Sequence, residues 1–423
     1  MAARRQAGLA LLLVAAGAFV LVHFVQAWAA VPPDVSRTSD FAGTYVAATE
    51  WRAGNSGSMY DESAERQVMV QLGAPLNHLW IPFVNPPAAA ILASPLTLFD
   101  ASTAYRVWSM LQLLLVIAAV VIATRAAPWP QGTSRLLKLA IASVATATFG
   151  VGLLFIEAQW DGLLVLGVSV AYACWRGGRP AYAGLVVGFT AALAKPHLAL
   201  GIAAFMLGRR DWRAALSAAA GGAAALLSGL AFAGVSASGA FITALLQPSN
   251  SPLAQMQGAT GLFSSLLGGA AGAYPAGVVA SLAAVAAAAW LGASTRSRPV
   301  LFEPAFAGAV VLSVFAAPHV LGHDLALLSP VLVISSAWLL RESVAVTRSI
   351  HWPDRTQLAL ITMWIALSFA TMFDLGKKSV GFPGRVTPWV LLLLASACMT
   401  SVARASRNAS ASTARTDALA APA

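Results

Sequence analysis

The chain has 423 residues, of which 58% are hydrophobic and 10% charged, with a mean hydropathy of +0.74. An ordinary soluble domain carries about 25% charged residues, so a soluble globular enzyme and a disordered chain are both excluded. Apolar stretches recur from the N-terminus to about residue 403, which excludes a single-span anchor too and predicts an all-α, polytopic transmembrane helical bundle. In such a chain the formal charge of +10 is read by where the charges sit, not as a footprint for nucleic acid.

The first apolar run follows Arg4 and Arg5 and reaches Ala30. It is too long for the core of a signal peptide and is read as the first membrane helix. The polar segment 31–83 is the first outer loop. Within it, residues 41–53 (FAGTYVAATEWRA) place apolar groups at helical spacing and predict a short amphipathic helix on the membrane surface. Ser39 or Asp40 can cap its N-terminus. Segment 85–99 is apolar but short and proline-rich, and is read as a half-membrane or interfacial hairpin.

With 7–29, further spans are predicted over 102–124, 136–156, 160–175, 181–194, 196–208, 213–234, 275–294, 304–318, 324–340, 356–373 and 386–403, about twelve in all. The pair 181–194 and 196–208 is interrupted by Lys195-Pro196-His197, giving two short helices with Lys195 at their tip. A second outer loop, 235–274, contains a short apolar helix at 261–270. Residues 1–403 thus form one integral membrane domain, and the Ala/Ser/Thr-rich tail 404–423 is read as disordered and cytoplasmic.

Lys and Arg in short loops stay on the cytoplasmic side. Eighteen of the 26 basic residues, but only five of the sixteen acidic ones, fall on the side of the N-terminus. That asymmetry predicts a multi-pass protein of the cell (inner) membrane with both termini cytoplasmic. The two cysteines, Cys174 and Cys398, lie in apolar segments and imply neither a disulfide framework nor a zinc site.

Ionisable side chains in the membrane region are candidates for function, and here they gather towards the outer face. Asp40 follows the first helix. Glu157, Gln159 and Asp161 share one outer turn, Lys195 and His197 the hairpin tip, and His319, His323 and Asp324 another turn. Asp374, Lys377, Lys378 and Arg385 make up the last. Five turns facing one aqueous boundary predict a site at the mouth of the bundle. Plainer roles exist for each. Asp40, Gln159 and Asp161 can cap helices, Lys195 can snorkel, His323 can bond a backbone carbonyl, and Glu157 is read as solvated. Trp80, Trp108 or Trp160 could stack on a sugar. No ligand set for a metal is legible, and no Walker A or dinucleotide fingerprint occurs, so no metal and no cofactor are expected.

The order of motifs resembles glycosyltransferase family 87, the polyprenyl-phosphate-sugar-dependent enzymes of GT-C fold that include bacterial mannosyltransferases. The motifs are Ser39-Asp40-Phe41 with Tyr45, Gly54 and Tyr60; Asn85-Pro86-Pro87 with Ser94-Pro95-Leu96; Ala158-Gln159; Gly184 and Gly188 before Lys195-Pro196; and Ala317-Pro318 before His323-Asp324. Departures are Ala158 where the family has Gly, Asp324 for a second His, and Gln257-Gly258-Ala259 in place of an Asn-Gln-Ser segment. The resemblance implies transfer of a sugar, mannose above all, from a polyprenyl-phosphate donor to a lipid or glycan acceptor at the outer membrane face, with no nucleic acid involved. It implies Asp40 as general base and His323 as a catalytic cation for the leaving phosphate. Lys195, Gln159, Asp161, Tyr45, His319 and Asp324 become substrate-binding residues, and Lys377, Lys378 and Arg385 weaker phosphate candidates. A secondary transporter or lipid flippase is the alternative, since broken helices and an intramembrane lysine suit that class too.

Overall fold

A computed structural model describes residues 2–37, 39–71, 82–246, 255–347, 356–375 and 381–420, and no strand occurs among them. α1 (Ala2–Ala29) is followed by the single turn α2 (Pro33–Ser36), α3 (Phe41–Arg52) and α4 (Glu62–Gln71). α5 (Pro87–Ala93) runs into a 3-10 stretch (Ser94–Leu98), then α6 (Ala101–Ala126). Asp100 caps α6 by accepting from the N–H groups of Ser102 and Thr103, both at 3.1 Å. α7 (Arg135–Thr146) and α8 (Phe149–Glu157) form a pair bent by 54°. The short α9 (Asp161–Arg176), α10 (Pro180–Leu193) and α11 (Leu200–Arg209) precede α12 (Trp212–Leu246), which breaks at Gly234 with φ +86°. α13 (Ala259–Leu266), α14 (Ala273–Ser294), α15 (Phe302–Ala316), α16 (Ser329–Thr347), α17 (Thr356–Leu375) and α18 (Thr387–Ala420) complete the chain.

The number of spans must be corrected. Seven helical stretches among the described residues are long and apolar enough to cross a membrane, or eight if the bent pair α7–α8 is one crossing, against the twelve expected. They are 7–29, 101–126, 212–245, 273–294, 299–316, 322–342 and 387–404. Apolarity was legible, but length decides. At 1.5 Å per residue α9 reaches about 24 Å, α10 about 21 Å and α11 about 15 Å, all short of a hydrocarbon core of roughly 30 Å. The expected span 356–373 begins among residues whose side chains lie outside the described set. Segment 85–99 is not a span: α5 and the stretch after it are a short apolar helix over Pro87–Leu98.

Two spans form the centre. Pro299–Ala316 and Gly322–Glu342 are buried over 89% and 94% of their apolar stretch, against 22–44% for the other five. The His-bearing turn 317–324 joins them. Around this hairpin the helices pack on small residues. A Cβ on Gly184 would meet the Ala214 carbonyl oxygen at 1.9 Å, and one on Gly188 would meet that of Ala218 at 2.0 Å. α10 and α12 therefore touch backbone to backbone, as small-residue interfaces in membranes allow.

α3 differs from its expected setting as well. Nine of its twelve residues are buried, Phe41 through Ala48 and Glu50, so it is packed into the bundle and not exposed along one face. Trp160 donates from Nε1 to Thr44 Oγ1 at 3.0 Å, and Trp108 bridges Trp160 and Phe41 with ring centroids 4.5 and 5.7 Å apart. These contacts leave Trp108 and Trp160 buried within the protein. They also fix Asp40, just before α3, against the start of α9.

Candidate active site

Three loci converge on the turn between α15 and α16. The first is the α8–α9 turn. Ala158 there adopts a left-handed conformation, φ 57° and ψ 48°, which a residue with a Cβ takes up only against a steric cost. In a continuous helix Glu157 and Asp161, four positions apart, would share one face and Gln159 would point away from both. The reversal at Ala158 instead directs Glu157 to His323, Gln159 to Asp40 and Asp161 to Lys195. The left-handed backbone is also a physical reason for a glycine at this position of the family motif.

The second locus is the break between α10 and α11. Pro196 disfavours helical geometry at Lys195, which is extended (φ −149°, ψ 90°). The carbonyls freed at the end of α10 are satisfied by Asn85 Nδ2, at 3.2 Å from Leu193 O and 2.8 Å from Ala194 O. Ser313 Oγ, which donates to Leu198 O at 2.7 Å and accepts from Gly201 N–H at 2.8 Å, fastens the far side of the break to α15.

The third locus is the turn itself. Asp324 Oδ2 accepts from Leu321 N–H at 2.6 Å, while its Oδ1 faces Lys195 Nζ at 2.5 Å. Lys195 Nζ also reaches Asp161 Oδ2 at 3.1 Å and His323 Nε2 at 2.9 Å. An ammonium has three donors, and all three are used. The side chains it holds are almost fully enclosed: Asp161 is 1% exposed, Asp324 0% and His323 2%. Asp161 Oδ1 is left without a hydrogen-bond partner.

Asp40 lies at the rim of this cluster. Its carboxylate does not cap α3. Oδ2 instead accepts from the Gln159 amide, and among the described residues no ion pair neutralises it directly. Burial raises its pKa from the ordinary value, with Glu157 adding to the rise and His323 and Lys195 opposing it. His319 is beside His197, ring centroids 6.2 Å apart, and burial holds both imidazoles below their ordinary value, His197 at about 4.

Most of the side chains singled out in the sequence are thus brought together: Asp40, Gln159, Asp161, Lys195, His323 and Asp324 form one connected group, with His319 nearby. Tyr45 is not bonded into it, because its hydroxyl donates to Phe99 O at 2.8 Å and ties α3 to the stretch after α5. Asp374 and Arg385 hold the start of α18: Asp374 accepts from the N–H groups of Val386 and Thr387, and Arg385 Nη1 donates to Asp374 O at 2.6 Å. Lys377, Lys378 and Trp80 lie outside the described residues. Glu157, read as solvated, bonds His323 Nδ1 instead; the alternation Glu157, Gln159, Asp161 was the signal that could have found it.

Two sets of residues bring metal-ligating atoms within 4.8 Å of one another, Asp40 with Glu157 and His323, and Asp161 with His323 and Asp324. Lys195 bonds every member of the second set, so a cation is already built into it. In the first, Glu157 and His323 bond each other and Asp40 is held by Gln159.

A helical membrane protein with a buried group of acids, a histidine and a lysine beside a rim carboxylate has the form of a membrane-embedded enzyme. Residues 83–318, a little over half of the chain, match glycosyltransferase family 87, and the protein belongs to that family. It is therefore a glycosyltransferase. No curated protein and no solved structure matches it.

Proposed function

We propose that the protein transfers a sugar, mannose as the first choice, from a polyprenyl phosphate to a hydroxyl of a lipid or glycan acceptor, with inversion, at the extracytoplasmic face of the inner membrane, both termini being cytoplasmic. One observation carries this reading: Asp40, a rim carboxylate with no direct cation partner among the described residues, shares a pocket with the buried Lys195 ammonium and the His323 imidazole bonded to it. Asp40 takes the proton of the acceptor hydroxyl as that oxygen forms its bond to the anomeric carbon. The bond from that carbon to the phosphate oxygen breaks, and its electron pair leaves with the polyprenyl phosphate. The phosphate gains charge in this step; the Lys195 ammonium supplies the positive charge that stabilises it, and the His323 imidazole is the polar group beside it. A raised pKa at Asp40 makes it a stronger base than a solvated carboxylate, which supports the assignment. Gln159 orients Asp40, and Asp161 and Asp324 hold Lys195 in place.

Purified protein given a labelled polyprenyl-phosphate mannose and a lipid or glycan acceptor is expected to form a glycoside. Asp40→Asn is expected to lower the rate by roughly 10²–10⁴-fold, the range for a positioned general base, with folding intact. Undiminished transfer by Asp40→Asn would remove the base. Counterflow of a solute in liposomes without any transfer would replace the enzyme by a transporter.

A further inference from the structure

We infer that Glu157 is a positioning residue that holds the His323 imidazole in register with Lys195, an inference that rests on the glycosyltransferase reading above. His323 is enclosed, and each ring nitrogen has one hydrogen-bond partner, with Asp324 Oδ1 farther from Nε2 at 3.6 Å. Nε2 is 2.9 Å from Lys195 Nζ, and Nδ1 bonds the Glu157 carboxylate. An ammonium can only donate, so Nε2 accepts and the ring proton sits on Nδ1, where it donates to Glu157. Glu157, His323 and Lys195 therefore form one chain of charge-assisted hydrogen bonds that starts at the rim and ends on the buried aspartates.

The arrangement has a mechanical consequence. An enclosed imidazole bonded only through Nε2 can turn over about its ring axis and put carbon where nitrogen was. A second bond through Nδ1 removes that freedom, the role carboxylates play behind functional histidines elsewhere. Glu157 is suited to it. It is the last residue of α8, immediately before the left-handed Ala158, and its side chain is 36% exposed while its partner is 2% exposed. It supplies the bond from the water-facing side without adding another wholly buried charge. The other ionised groups around His323 are already committed: Asp324 and Asp161 to Lys195, and Asp40 to Gln159. The bond to Nδ1 comes from Glu157.

The test uses the full-length protein with ¹⁵N-labelled histidine, together with transfer kinetics. In the wild type the Nδ1 proton of His323, identified by its loss in His323→Asn, is expected to be strongly deshielded. In Glu157→Ala that signal is expected to disappear and kcat to fall roughly 10–100-fold, with KM for the polyprenyl-phosphate sugar changed much less. Glu157→Gln, whose amide oxygen can still accept, is expected to recover most of the rate. Wild-type kcat in Glu157→Ala would overturn the assignment, as would an unchanged Nδ1 proton signal. A loss of kcat that Glu157→Gln does not repair, with the signal intact, would do so too. The proton signal reads the Glu157–His323 bond without any turnover. A wild-type protein that bears the signal yet transfers no sugar would therefore sink the enzymatic reading and leave the contact standing.

Discussion

Lys195 is the group whose removal should be felt most. Its ammonium is held by Asp161 at 3.1 Å and Asp324 at 2.5 Å, carboxylates 1% and 0% exposed. Lys195→Met keeps most of the side-chain volume and deletes the charge. Two carboxylates then share an enclosed space with no cation between them, and breaking a buried ion pair in this way costs about 3–5 kcal/mol. An independent limit comes from proton uptake, because one carboxylate can be neutralised instead. From an ordinary carboxylate pKa near 3.9, protonation costs about 1.4 kcal/mol per pH unit, or about 4 kcal/mol at pH 7 and about 1.5 kcal/mol at pH 5. The two routes agree at neutral pH, and the second fixes the sign of the pH dependence. The variant should be most destabilised at high pH and recover as pH falls. Unfolding of the purified protein in detergent, followed by heat or denaturant at pH 5 and pH 7, measures this. Asp161→Asn in the Lys195→Met background should return part of the loss, since it removes one of the stranded charges. A Lys195→Met protein as stable as wild type at pH 7, or a deficit that does not change between the two pH values, would refute the reasoning.

Asp40 must be ionised to act as a base, and burial raises its pKa. The transfer rate should therefore climb with pH through a midpoint above the ordinary carboxylate range and then level off; a midpoint at or below about 4 in a rate–pH profile would contradict this. Ala158→Val should destabilise the protein by about 1–3 kcal/mol, because a branched side chain in left-handed geometry is strained, and it should also lower transfer by displacing Glu157 and Gln159; a thermal melt and a rate assay on one preparation read both. Tyr45→Phe removes one hydrogen bond, to Phe99 O, so it should cost about 1 kcal/mol and leave donor KM close to wild type. A donor KM raised tenfold would return Tyr45 to the substrate.

The site was more legible in the sequence than the fold around it. Charged and polar residues in an apolar chain are conspicuous, and the interruption at Lys195-Pro196 was visible as a proline after a helical stretch. What periodicity could not supply was reach. α9, α10 and α11 are as apolar as true spans, and only their lengths, set by where Gly177, Lys195 and Arg210 end them, distinguish them. The burial of α3 was hidden for a related reason. FAGTYVAATEWRA has one polar stripe, which suggests a surface helix, but its small residues let neighbouring elements close over both sides. Glu157 was passed over because a carboxylate at a helix end usually faces water. Its partner comes from a turn more than 160 positions later, and nothing local announces a contact of that range.

The central hairpin has a bearing on how the protein is made. Asp161 and Lys195 belong to the middle of the chain, whereas His323 and Asp324 arrive with its last quarter, on the two helices that end up most enclosed by the others. A ribosome-bound nascent chain that stops before residue 322 has an ammonium with half of its counter-charge missing and a gap where the innermost pair belongs. The second carboxylate that holds the Lys195 ammonium thus exists only once three quarters of the chain has been made.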